Sequence, residues 1–365
     1  MSAGALLKER PDNPSAETIE ALTQIWQRVL QRSPIGPEEK FYAVGGTDQL
    51  ADRTFAEIAH VFNRQLPTAT ICYAPTISAL AAVLEQPTLP RFSPFVLLKA
   101  GSKHPPIFIG HGVGGRASFS ELARHIRTEN PIYGIQARGV DGLAPPLGRI
   151  EDMAEYYLDA LRELQPQDPY ILIGYSFGGL IALEMAQRLL KGGKHVALLV
   201  MVDSYPDPRY LPPGDRMWLI AKKIKNHLSD LRRKPLSVAL EQVRGALRKR
   251  LGNAGVRKPQ GPAGNASSLS LSFAETTAQV KQFDFLAMRR YRPRFYPGKI
   301  KFVRPETNSY LPTDPTAFWK HLAAEFEVET VPGDHLGMIG KHFENLAETL
   351  SGYVKTALSQ EQKSN

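Results

Sequence analysis

One short run constrains this chain more than any other feature. In YILIGYSFGGLIALEMA, Gly174-Tyr175-Ser176-Phe177-Gly178 stands between an apolar run of strand character and a longer run of helical character. This is the G-x-S-x-G pattern. A strand that turns into a helix within so few residues brings backbone against backbone, and a side chain at either outer position would clash with its neighbours. The turn lifts the serine hydroxyl to the tip of a sheet. The helix that follows points its N-terminus at the same spot, where its partial positive charge favours a developing anion. The spacing predicts a nucleophile at Ser176, with the Phe177 amide as one donor to that anion.

The surroundings support a sheet. From about residue 94, short apolar runs (FVLL, PIFIG, PIYGI, YILIG, VALLVMVD, KIKFV and FEVETV) alternate with amphipathic stretches such as IEDMAEYYLDALREL. Such alternation argues for a parallel sheet with helices on both faces. It breaks once, over about 208–293, where helical patterns run with no strand between them; this reads as an inserted helical lid containing the flexible stretch GNAGVRKPQGPAGNASS.

Ahead of the sheet the pattern is purely helical. Ser15 is placed to cap a helix carrying Ile19, Leu22, Trp26, Val29 and Leu30. A second helical pattern carries Phe55, Ile58, Ala59 and Phe62, and after a short connector APTISALAAVLEQ forms a third. The expected organisation is a flexible tail (1–14), a helical domain (15–88), a proline-rich linker (89–94), a sheet domain (95–358) and a short tail (359–365).

A serine nucleophile needs a base, and the base needs an orienting acid. In a sheet of this kind they follow in the order Ser, acid, His. Of nine histidines, only His321, His335 and His342 come late enough. His335 sits in VPGDHLGM directly after the run FEVETV, on a loop that can hang the imidazole over the serine, whereas His321 and His342 lie on helical patterns. For the acid, the residues leave Asp203, at the end of VALLVMVD, open beside Glu306 and Asp314 one strand later; Asp334 reads as structural. The second anion donor is expected from His111-Gly112-Val113-Gly114-Gly115, with Val113 favoured over Gly112 and Gly114, and His111 reads as structural.

Composition narrows the setting. The chain is 42% hydrophobic and 22% charged, which excludes a mainly disordered polypeptide. No apolar run approaches the roughly 20 residues needed to span a bilayer, and the N-terminus lacks the apolar core of a secretory signal; a cytoplasmic location is expected. The single cysteine, Cys72, excludes an intrachain disulfide or a Cys-based zinc site and reads as one buried thiol. No metal is expected. The net charge of +9 is local: residues 216–258 hold 13 Lys/Arg against Asp230 and Glu241. Solvated helix faces come first as the reading of that stretch, docking of an acidic carrier or a coenzyme A phosphate second, and a membrane-surface helix around Trp218, Leu219, Ile220 and Ile224 third. No nucleic-acid-binding pattern accompanies the charge.

Residues from about 95 to 356 resemble the thioesterase domains that end nonribosomal peptide and polyketide synthases, in the His-Gly-rich loop near 111, in GYSFGG, in the strand-end Asp203 and in GDHLGM. The resemblance implies an α/β-hydrolase sheet with an inserted lid over the acyl pocket. It also implies an acid after the strand that follows the elbow strand, which selects Asp203. Residues from about 17 to 86 resemble a peptidyl or acyl carrier domain, which bears a phosphopantetheine arm on the serine of GGxS; here Gly45-Gly46-Thr47-Asp48 puts Asp48 at that place. No cofactor is then expected on this chain, and the arm is expected on the substrate only, brought by a carrier protein or coenzyme A. The readings from other classes are a general ester or lipid hydrolase and a non-catalytic carrier-like interaction protein.

Overall fold

The computed structural model describes residues 14–86, 92–115, 119–164, 168–210, 273–307 and 314–364, with 213, 214, 216, 217 and 221. The N-terminal tail to residue 13, most of the linker and the basic part of the lid lie outside the described residues. The chain divides into two compact units, one made of Met1–Asp207 with Leu271–Asn365 and the other of Pro208–Ser270. The first unit holds both the helical domain and the sheet, together with the last helix of the expected lid.

The helical domain contains α1 (Ala16–Leu30), α2 (Asp48–Phe62), α3 (Thr70–Tyr73) and α4 (Ile77–Leu84). Ser15 caps α1 by accepting the Thr18 N–H, and Thr47 and Thr76 cap α2 and α4 in the same way. α1 buries Leu22, Ile25, Trp26 and Val29, and Trp26 meets Phe41 edge-on at 5.0 Å. The connector expected between the second and third helices contains α3, a single turn too short to show periodicity. Cys72 on that turn is only half-buried rather than sealed in the core.

The sheet contains β1 (Phe95–Lys99), β2 (Ile107–Gly110), β3 (Ile132–Ile135), β4 (Tyr170–Tyr175), β5 (Val196–Val202), β6 (Tyr296–Pro305) and β7 (Ala323–Val331), in the order β1-β3-β2-β4-β5-β6-β7. All neighbours are parallel except β1, which runs antiparallel to β3 at the edge. The link from β1 to β2 carries no crossover helix, so the chain doubles back and cannot leave the two strands parallel.

Alternate residues of each strand serve two cores. Ile107, Ile109, Ile171, Ile173 and Val200 face α5 (Ser120–His125) and α10 (Phe343–Ser364). Phe108, Leu172, Leu199, Met201 and Phe302 face α6 (Ile150–Leu164), α7 (Phe177–Lys191) and α8 (Phe273–Arg290). α9 (Thr316–Trp319) is a single turn before β7. α10 continues to Ser364 through the stretch expected as a tail from residue 359, and Glu361 there pairs with His195 at 2.7 Å. The polar composition of that stretch belongs to an exposed helix end.

Two features position the site. The chain passes from β2 to β3 on one side and returns to place β4 on the other, so the loops leaving β2 and β4 run to opposite sides at the carboxyl ends of neighbouring strands, the place where open α/β sheets bind ligands. The helical domain also holds α8 at its start. Asp52 of α2 accepts the Phe273 N–H at 2.8 Å, and Phe273 and Val140 are buried in the helical domain's own core. Lys40 pairs with Glu121 of α5.

Candidate active site

Ser176 follows the last residue of β4 at the N-cap position of α7, with φ +54° and ψ −120°, a conformation that L-residues rarely adopt. Its N–H donates to the Val202 carbonyl at 2.8 Å, which ties the turn to β5. The flanking glycines are required by contact. A Cβ on Gly174 would lie 2.3 Å from the Gly178 oxygen, and one on Gly178 would lie 2.4 Å from the His111 oxygen. Gly178→Ala must therefore push α7 away from the β2 loop. The expected cost is about 3 kcal/mol or more, measured by urea denaturation; a change below about 1 kcal/mol would show that the turn yields.

The expected base and acid meet. His335 lies in the turn after β7, and its Nδ1 is 2.6 Å from Oδ2 of Asp203. Asp203 follows the last residue of β5, takes φ +43°, and is fully buried as a side chain. Its N–H donates to the Val303 carbonyl of β6 at 2.8 Å. The other acids are elsewhere. Asp314 accepts the Thr316 N–H at the start of α9, Asp334 accepts the Gly337 N–H at 2.7 Å within its own turn, and the Glu306 side chain is exposed. His321 and His342 are not helical as expected; each lies in a turn, before β7 and before α10. The apolar period that suggested helices there belongs to the short α9 and to α10.

Tyr175, the variable residue before the serine, has a role the pattern does not signal. Its ring stacks on His335 at 4.9 Å and 24°, and its hydroxyl donates to the His335 carbonyl at 2.6 Å. Burial, and then the charge of Asp203, push the phenol well up, so it stays a donor.

The β2 loop lies beside the turn: a Cβ on Gly112 would be 4.0 Å from that of Ser176. His111 is fully buried; its Nδ1 bonds the Gly112 carbonyl at 2.8 Å and its Nε2 meets the Tyr157 hydroxyl at 3.0 Å. Of the loop amides weighed above, that of Gly114 is engaged by Asp284 of α8 at 2.9 Å. Val113 is half-buried, and Phe177 is the first residue of α7. Asp284 was not singled out by sequence, although an acid within a helix's apolar stripe is a readable signal.

These two buried groups act oppositely on stability. Burial lowers the His111 pKa to about 4, with the Gly112 carbonyl opposing, so the stability tied to its neutral form is lost as pH falls from 6.5 towards that value. Burial raises the Asp284 pKa to about 7, with the Gly114 amide opposing, so the stability tied to its protonated form is present below 3.8 and lost as pH rises through about 7. Asp284→Asn removes only the second effect. Its stability relative to wild type should improve by about 3–4 kcal/mol between pH 4 and pH 8. Urea denaturation at both pH values checks this, and a difference that stays constant would refute it.

Among the described residues no group of His, Cys, Asp and Glu could hold a metal ion, and no helix is long and apolar enough to cross a membrane. At the head of α2 the residue is Asp48, and the Thr47 hydroxyl accepts the Leu50 N–H as the helix cap. A carboxylate and a capping threonine do not fit attachment of a phosphopantetheine arm.

Residues 105–353 match the family described as Thioesterase domain. The chain belongs to that family. This thioesterase domain is 34% identical over 198 residues to malpibaldin synthetase of Mortierella alpina, covering 53% of this chain and 4% of the relative. It is 33% identical over 225 residues to a dimodular nonribosomal peptide synthase of Bacillus subtilis (strain 168), covering 60% and 9%. The chain thus matches a small part of these relatives' length. Among solved structures, the four-domain nonribosomal peptide synthetase holo-AB3403 with AMP and glycine matches with a TM-score of 0.54 and 21% identity, over 94% of this chain and 27% of that one. That likeness concerns the fold of the thioesterase domain and the helical domain before it.

Proposed function

We propose that this thioesterase works through Ser176 on acyl or peptidyl thioesters of a phosphopantetheine arm. The observation that carries this reading is the 2.6 Å bond between His335 Nδ1 and buried Asp203. With Nδ1–H donated to the carboxylate, Nε2 is left as the base. His335 takes the Ser176 proton as Oγ attacks the thioester carbonyl. The Val113 and Phe177 amides donate to the tetrahedral oxyanion. When it collapses, the C–S bond breaks, His335 returns the proton to the departing sulfur, and an acyl ester remains on Ser176. His335 then deprotonates water, or a hydroxyl or amine of the acyl chain or of an acceptor, which attacks the ester. As the ester C–O bond breaks, His335 passes the proton to Ser176 Oγ, and the product is an acid with water, a ring with the chain's own group, or an ester or amide with the acceptor. Asp203 stabilises the imidazolium in both halves.

Asp48 bears on where the substrate comes from. Because the carrier-like domain has no hydroxyl at the arm's position, the acyl arm arrives from a separate carrier protein or from coenzyme A. The similarity to peptide synthetases favours the carrier.

Intact-protein mass spectrometry after incubation with a panel of acyl-pantetheine thioesters tests the reading, with free thiol followed in parallel and Ser176→Ala as control. An acyl adduct on wild type alone, with thiol release, is the expected result. Simple esters turned over faster than every thioester would redirect it towards an ester hydrolase. The absence of adduct, of thiol release and of fluorophosphonate labelling together would overturn it.

A further inference from the structure

α8 buries Phe273, Thr276, Val280, Asp284 and Ala287, which recur at three- and four-residue spacing and so form one stripe. Four of these suit a packing face. The fifth is a carboxylate that is 1% exposed, and burying it carries a desolvation cost that an apolar residue would avoid. The stripe lies against the β2 loop. A Cβ on Gly115 would meet Val280 Cγ1 at 2.8 Å, and one turn further along Asp284 Oδ2 accepts the Gly114 N–H at 2.9 Å.

The loop is held from its other side as well. The Gly112 carbonyl bonds His111 Nδ1 at 2.8 Å and accepts the Gly115 N–H at 3.3 Å. Since burial keeps His111 neutral, with Nδ1–H pointing at that carbonyl, its Nε2 accepts from the Tyr157 hydroxyl. A trans peptide is planar, with C=O and N–H pointing in opposite directions. Fixing the Gly112 carbonyl therefore fixes the direction of the Val113 N–H, which shares its plane. Fixing the Gly114 N–H fixes the next plane. Two successive peptide planes on either side of Val113 are pinned, one by His111 and one by Asp284. α8 is a firm base for this, because Asp52 of the helical domain holds its first turn.

We infer that Asp284 is a positioning residue of the thioesterase site: by holding the Gly114 amide it keeps the loop seated, so that the Val113 N–H, whose plane His111 fixes, stays aimed at the place where the oxyanion forms. The inference rests on the serine mechanism proposed above. Through α8 it also gives the carrier-like domain a task that needs no arm: bracing the helix that holds the loop.

The test compares wild type with Asp284→Ala and Asp284→Asn in the full chain. Asn keeps an acceptor for the Gly114 N–H; Ala keeps none. Thioester turnover is measured as kcat and KM, and amide hydrogen exchange is followed on the peptide containing 111–115. Loss of a complete oxyanion donor costs about 10²–10³ in kcat, so a donor misaimed by Asp284→Ala should cost about 10-fold or more, with KM within about twofold. The loop should lose protection in step. Asp284→Asn should restore kcat to within about threefold and restore the protection. Equal kcat in all three proteins, or equal losses in both variants with the loop's protection intact, overturns the assignment. Fluorophosphonate labelling of wild type separates the two layers: no label on Ser176 brings down the serine mechanism and this inference with it, whereas label with unchanged kcat in the variants brings down this inference alone.

Discussion

Thiol release by Ser176→Ala is expected to fall by about 10⁴–10⁶-fold, with no acyl adduct on the protein. The magnitude follows from the role assigned to Oγ. Without it no acyl-enzyme forms, and what remains is water attack on a thioester still held near the Val113 and Phe177 amides, a residual activity that binding and the anion site sustain alone. The change removes one oxygen at a half-buried position, so thermal stability should stay close to wild type. Relief of the φ +54° strain is not expected, because alanine also carries a Cβ. A variant that keeps more than about one hundredth of wild-type turnover would mean that the hydroxyl is not the nucleophile, and that water attacks the thioester directly.

Asp203→Asn should lower kcat by about 10⁴-fold while leaving the fold intact. The carboxylate now accepts from His335 Nδ1 at 2.6 Å. An amide in its place can offer an N–H to Nδ1, which moves the imidazole proton to Nε2 and removes the base from the side facing substrate. It also removes the charge that stabilises the imidazolium as it forms. Asp203→Ala, by contrast, would leave a hole in a fully buried position and would mix a folding effect with the catalytic one. kcat/KM with a pantetheine thioester, set beside the melting temperature, separates these effects. An Asn variant within about tenfold of wild type would reassign the acid.

What could be read from the sequence was written over short distances. Helical period placed Leu22, Trp26 and Val29 in the core of α1 and Phe55 and Ile58 in that of α2, where all five are buried. The run of alternating elements marked seven strands, and two glycines four residues apart marked the turn at Ser176 because the clash they avoid lies within the turn and its neighbouring loop. Chain order and a strand-end position singled out His335, and the resemblance to synthase thioesterases singled out Asp203; the fold brings the two side chains to 2.6 Å. Only the tertiary structure decided the contacts between residues far apart in the chain. Tyr175 grips His335 across 160 residues, Asp284 grips Gly114 across 170, and Asp52 holds the start of α8 across 221. Each is one polar atom meeting one backbone group, and no period or motif names the partner, even where, as with Asp284, the acid itself stands out in an apolar stripe. The meeting depends on how the sheet order carries β4 beside β2 and how α8 is laid against the loop between them. Local propensity and burial set the elements and the turn at Ser176; the long-range crossing of those elements set the polar contacts around that turn.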